Sequence, residues 1–159
     1  MKPIKIVSGG QTGVDRGALD AALAAGFPCG GWCPAGRKAE DGVIPDSYPL
    51  VVLPGAGYRQ RTLKNGQDSD GTLILYTGLL SGGTKFTRDL CVREKKPFVV
   101  LDAAQATPER AVAAVLRFIA ENEISVVSVA GPRASGWPEG HAFAVAVVGG
   151  LLGSLSRGV

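Results

Sequence analysis

The chain has 159 residues, 45% apolar and 19% charged, a balance that suits one folded domain and excludes a disordered segment. Its formal net charge of +3 is too small for a nucleic-acid surface, yet it is compatible with a local positive pocket for a small anion. The longest apolar stretch, 142–152, is too short to span a bilayer.

Ile4–Ser8 is a short β-branched run ending in glycines, which predicts a strand. Met1-Lys2-Pro3 leads straight into it, so no secretory leader is expected and a cytoplasmic location follows. Gly9-Gly10-Gln11-Thr12-Gly13 comes next, and Asp15 and Arg16 open a helix with apolar positions at Val14, Ala18, Leu19, Ala22 and Leu23. Gly26 is placed to close that helix. A short strand is expected near Cys29–Trp32, and Pro34–Pro49 reads as a long polar loop of the kind that carries function. Tyr58–Gly66 is a candidate helix and Thr72–Tyr76 a buried strand. A second glycine loop, 77–84, precedes a helix over Thr84–Glu94, and Phe98–Leu101 is a further strand. Thr107 and Pro108 mark the start of a helix with Val112, Val115, Leu116 and Ile119 on one face. Val126–Val129 is the fifth strand, and a last helix runs from about Gly140 to Leu155, with a strand over 144–148 as the local alternative.

Strands alternating with helices predict an α/β, Rossmann-like doubly wound fold, a single domain over residues 1–159. Its sheet is expected to be mostly parallel and five-stranded, with helices on both faces. Such sheets bind ligands beyond the carboxyl ends of their strands, so the glycine loops should meet at one edge.

The first loop lacks the dinucleotide fingerprint G-x-G-x-x-G. Ser8, Gly9, Gly10, Gln11, Thr12 and Gly13 instead suggest a backbone nest for an anion at a helix N-terminus. The second loop nearly matches a phosphate-binding P-loop, but Thr84-Lys85 stands where Lys-Ser/Thr is needed, which disfavours ATP hydrolysis. Ser81, Gly82, Gly83 and Thr84, with Lys85 and Thr87 on the first turn, read as a second nest. The two nests are expected at adjacent strand ends. Asn65, Ser69 and Asp70 are candidates to face the crevice, while Arg59 and Lys64 read as part of a solvated helix. Arg37, Lys38, Glu40 and Asp41 belong to a candidate lid, and Trp32 at its entrance suits either ring stacking or core packing. Cys29, Cys33, Cys91 and the single His141 do not make a zinc site, so no metal ligand is expected and the thiols read as structural or free. One histidine supports no nucleophilic triad, so no catalytic residue is expected.

Ser8–Arg16, Gly31–Gly42, Asp68–Thr72, Gly82-Gly83-Thr84 and Ala130–Ser135, taken together and in this order, resemble the molybdenum cofactor carrier proteins. That resemblance implies a Rossmann-like fold, an oligomer, and a pocket for molybdenum cofactor, a pterin (molybdopterin) with a dithiolene and a terminal phosphate. The family stands in a wider group that includes the cytokinin-activating phosphoribohydrolases, whose Pro-Gly-Gly-x-Gly-Thr-x-x-Glu motif carries a catalytic glutamate. With Gly83-Thr84 matched to Gly-Thr, Thr87 occupies the glutamate position, which favours holding a ligand over cleaving one. The function implied is binding, protection and delivery of the cofactor, with molybdoenzymes or cofactor-biosynthesis proteins as partners. Arg37 and Lys85 would add charge to the phosphate site. The alternative is a nucleotide-binding protein or hydrolase for a nucleoside monophosphate, with Asp70, Glu40 or Asp41 supplying a carboxylate. The last helix is apolar on nearly all sides, which predicts a homo-oligomer, a dimer or tetramer, built on it. Neither nucleic acid nor membrane is an expected partner.

Overall fold

The computed structural model describes residues 3–157; the reading of Met1 and Lys2 lies outside the described residues. The elements in order are β1 (Lys5–Val7), α1 (Val14–Ala25), β2 (Cys29–Gly30), β3 (Trp32–Cys33), a 3₁₀ turn (Ala35–Arg37), β4 (Lys38–Ala39), β5 (Gly42–Val43), β6 (Val51–Val52), α2 (Tyr58–Gln67), β7 (Gly71–Tyr76), α3 (Gly82–Arg93), β8 (Phe98–Asp102), α4 (Pro108–Asn122), β9 (Val126–Ala130) and α5 (Gly140–Arg157). The main sheet has five strands in the order β2-β1-β9-β7-β8, and every neighbouring pair is parallel. Chain direction places the glycine loops after β1 and β7 at the same edge, but β9 lies between those strands, so the two loops are not on adjacent strands. The chain leaves β1 toward one side of the sheet and β7 toward the other, which opens a crevice above β9.

Helices cover both faces, α1, α5 and α4 on one and α2 with α3 on the other. Alternation along the strands turns Leu73, Leu75, Val127 and Val129 into the first layer, where they are at most 1% exposed. Val14, Ala18 and Ala22 of α1 and Val115 of α4 meet them there. Thr107 accepts the Arg110 N–H as the N-cap of α4, and Gly26 closes α1 in the left-handed conformation, as the sequence predicts. Helix α5 lies between α1 and α4, which buries Ala144, Val147, Val148, Leu151 and Leu152 completely. Gly17 permits this crossing, because a Cβ there would stand 2.5 Å from the His141 carbonyl oxygen. The apolar circumference of α5 is thus used within one chain, and a homo-oligomer no longer follows from it. No helix among the described residues is long and apolar enough to cross a membrane.

The expected strand near Cys29–Trp32 is split. β2 joins the main sheet, whereas β3 pairs with β6 in a separate two-stranded sheet. The expected loop over Pro34–Pro49 is also more structured than its polarity suggests: β4 and β5 form an antiparallel hairpin. It packs over a small core of Leu19, Cys33, Ala39, Ile44 and Leu50. Arg37 organises the return of the chain by donating to the backbone carbonyls of Ile44, Pro45, Tyr48 and Leu50 at 2.8–3.1 Å.

Candidate functional site

A cleft of about 690 Å³ opens at the carboxyl edge and runs between α2 and α3 along the sheet. Its rim carries Gly9, Gln11 and Asp15 from the first glycine loop and its helix, Ser81–Thr84 from the second, and Gly131–Arg133 after β9.

The first loop is occupied from within the protein. The Gln11 N–H donates to Asp15 Oδ2 at 3.2 Å, the Thr12 N–H to Gln11 Oε1 at 3.1 Å, and the Val14 N–H to the Pro132 carbonyl at 3.4 Å. The Ser8 hydroxyl donates to the Asp15 carbonyl at 2.9 Å. An internal carboxylate therefore stands where the sequence suggests a ligand phosphate, at the positive end of α1. Arg61 reaches it from α2, with Nη1 at 3.2 Å from Asp15 Oδ2. The guanidinium lies over Gly9 so closely that a Cβ there would be 1.7 Å from Nη1. Burial pushes the Asp15 carboxyl above its ordinary value; the Arg61 charge, the Gln11 N–H and the more distant Arg16 oppose that shift. Among the described residues two buried donors, Gln11 Nε2 and Arg61 Nε, have no partner.

Ser8, Gly10, Thr12 and Gly13 stay outside the cleft wall. Thr12 donates instead to Glu40 Oε1 and accepts the Ala134 N–H at 3.1 Å. Glu40 continues the clasp, taking the Ser135 N–H at 3.1 Å and the Ser135 hydroxyl at 2.7 Å. Those hydroxyls hold its carboxyl below the usual glutamate value. Beside it, Arg16 forms a bidentate pair with Asp41 at 2.6 and 2.8 Å. The expected lid is thus a hairpin clipped to the loops, and Arg37, Lys38, Glu40 and Asp41 do not line the cleft.

The second loop is open. Ser81, extended at φ −149° and ψ 171°, is the N-cap of α3, but no side chain caps the helix. The first helical bond runs from the Lys85 N–H to the Ser81 carbonyl, leaving the N–H groups of Gly82, Gly83 and Thr84 unpaired among the described residues. Thr84 is 7% exposed, lines the cleft, and its hydroxyl has no partner among the described residues. Thr87, at the position of the related enzymes' glutamate, donates back to the Gly83 carbonyl at 3.0 Å. Lys85 is not part of the cleft wall.

Arginines line the same cleft. Arg61 and Arg133 both lie against the Tyr58 ring, at 5.7 and 5.5 Å from its centroid, and Arg59 lies 4.8 Å from that of Phe86. The reading of Arg59 as solvated is corrected by its place on the cleft wall, and Arg61 and Arg133 are cleft residues that the sequence did not single out; a polar helix beside a glycine loop is the available signal. Asp70 is a correction of the opposite kind. It precedes β7, at the amino end of the sheet, where Oδ2 accepts the Ser125 and Val126 N–H groups at 2.9 Å. Asn65 lines the cleft, but its amide is spent on the Trp32 backbone, accepting at 2.8 Å and donating at 3.0 Å. Trp32 is turned to Asp68, with Nε1 at 2.7 Å, and is not part of the cleft wall. The thiols of Cys29, Cys33 and Cys91 are free, and burial pushes each above its ordinary value.

The profile of the circularly permutated YpsA SLOG family matches residues 6–152. The chain belongs to this family. A solved structure from Syntrophus aciditrophicus SB, named "Putative molybdenum carrier protein", is similar throughout: 42% identity, TM-score 0.92, with 96% of this chain and 98% of that chain covered. No curated protein sequence matches the chain significantly. In this family member the cleft supplies a helix N-terminus and arginine side chains, a combination that attracts anions bearing several acceptor oxygens. Its two lining acids at the carboxyl edge and along α3 are Asp15, bound to Arg61, and Glu94, in reach of Gln67 Nε2 at 3.4 Å.

Proposed function

We propose that the protein binds molybdenum cofactor, the phosphorylated molybdopterin, holds it in the cleft above β9, and delivers it to molybdoenzymes or proteins of cofactor biosynthesis. One observation carries the reading: the uncapped N-terminus of α3, with its unpartnered Thr84 hydroxyl, shares a cleft with Arg59, Arg61 and Arg133. The phosphate would sit on the N–H groups of Gly82, Gly83 and Thr84, and the arginines would neutralise it. The printed name of the Syntrophus structure supports the choice of cargo. The cofactor brings its metal already held by a dithiolene, so the reading asks for no protein metal ligand.

Holding rather than cleaving is part of the same proposal. Thr87 bonds its own helix, and Glu40, Asp41 and Asp70 are engaged away from the cleft. A cytoplasmic homo-oligomer completes the reading; a monomer at working concentration by light scattering would count against the assembly. The deciding experiment is purification from a molybdenum-competent host, followed by assay of bound molybdenum and of the fluorescent oxidised pterin. Both are expected in comparable amounts. Finding neither, with no uptake when cofactor is added, removes the cargo. Release of free base from AMP at enzyme-like rates would establish the nucleotide hydrolase instead.

A further inference from the structure

The central strands carry different chemistry on their two faces. Toward α1, α4 and α5 the floor is Leu73, Leu75, Val127 and Val129. Toward α2 and α3 the same strands turn Thr72 and Ser128, register partners on β7 and β9. Both line the cleft, at 2% and 6% exposure. Thr72 faces the Cys91 thiol and partly offsets the upward push of burial on it. The Ser128 hydroxyl has no partner among the described residues. Its oxygen is not one of the fully enclosed unpaired atoms, so it opens into the cleft, where water or a ligand must answer it. Helix α2 does not answer it, since Asn65, its one buried residue, is spent on Trp32. Ser128 lies two residues back from Ala130, roughly 7 Å below the carboxyl edge at about 3.3 Å per residue. Leu63 of α2 and Leu90 of α3 line the same cleft. The lobe therefore has a hydroxyl floor, with Leu63 and Leu90 as apolar patches in otherwise mixed walls, and it opens toward the α3 N-terminus.

We propose that this lobe is a ring-reading subsite: it takes the flat, amide-bearing fused ring of the ligand edge-on, with Ser128 hydrogen-bonding the ring edge. The inference rests on the phosphate reading above, because the ring belongs to the molecule whose phosphate α3 holds. A hydroxyl donates and accepts, so Ser128 can meet either a ring N–H or a ring carbonyl. A phosphate ester without a ring leaves the hydroxyl and the two leucines to water. Pterins and purines share the required edge, and the probes below separate them.

Isothermal titration calorimetry on the full chain would compare inorganic phosphate, ribose 5-phosphate, GMP and 6-hydroxymethylpterin monophosphate. At least one ring-bearing probe is expected to bind tenfold or more tighter than ribose 5-phosphate, and the tighter of the two names the ring class. Ser128→Ala should weaken that probe about three- to tenfold and leave ribose 5-phosphate unchanged. Ser128→Val, which also fills the lobe, should abolish the gain from the ring. Circular dichroism melting confirms that each variant is folded. Equal binding of ribose 5-phosphate and both ring probes overturns this subsite alone, as does a Ser128→Ala effect that is absent or equal for every probe. Failure of all four probes overturns the phosphate reading and this inference with it.

Discussion

Replacing Arg61 with methionine removes a guanidinium that holds Asp15 at 3.2 Å while keeping the apolar stem. The two side chains are 12% and 6% exposed, so the pair is buried and solvent screens it little. Breaking one side of a buried ion pair costs about 3–5 kcal/mol. Asp15 keeps the Gln11 N–H and a distant Arg16, so the lower end, about 3 kcal/mol, is expected. At about 2–4 °C per kcal/mol for a domain of this size, Tm should fall by roughly 6–12 °C near neutral pH. The sign of the pH dependence follows from the shift. The Asp15 carboxyl is raised above 3.8 in the folded protein, so its contribution is fully present below that value and is lost as pH rises through the folded one. Removing Arg61 raises the carboxyl further and deepens the loss, so the gap between variant and parent should widen with pH. Urea unfolding followed by circular dichroism between pH 4 and 7 measures this. Asp15→Asn in the methionine background should recover much of the loss, because the buried charge is gone. A loss below about 1 kcal/mol, or one unchanged by Asp15→Asn, would refute the argument.

Gly83→Asp places a carboxylate in the first turn of α3, which should stabilise the helix by up to about 1 kcal/mol while weakening phosphate-bearing probes at least tenfold, read by thermal melting and calorimetry on one sample. Asn65→Leu strips the Trp32 N–H and carbonyl of their partner at a position 3% exposed, a loss of about 2–4 kcal/mol in urea unfolding. Glu40→Gln keeps the shape of the clasp on Thr12 and Ser135 but loses its charge. The Glu40 carboxyl is lowered from 4.5 in the folded protein, so the parent's clasp is fully present above that value and weakens as pH falls through the lowered one. In the glutamine variant, hydrogen exchange over 38–43 should be faster at pH 7 and lose that acid-dependent step.

The fold was legible because its signals are local: β-branched runs, Thr107-Pro108 at a helix start, and Gly26 at a helix end each act on neighbouring backbone. Two-residue strands such as β4, β5 and β6 carry no period to read, so the hairpin looked like a loop. The misplacement of Asp70 was avoidable. In a parallel sheet a residue just before a strand lies at the end opposite the residue just after it, and Asp70 precedes β7.

The two glycine loops show where sequence reading stops. Both place bare N–H groups at a helix N-terminus after a strand, and composition alone makes them equivalent anion sites. What separates them is a contact between Asp15 and Arg61, 46 positions apart in the chain. Asp15 turns its carboxylate back onto the Gln11 N–H, and Arg61 can approach only because position 9 has no Cβ. The first loop thereby becomes the anchor that sets an arginine on the cleft rim, and the second, with no acid in its first turn, is left uncapped. A helix as polar as α2 looks solvated in isolation, since its few apolar residues define no buried face. Its Arg59 and Arg61 nevertheless line a cleft floored by Thr72 and Ser128, while Leu73, Leu75, Val127 and Val129 of the same strands face the other layer.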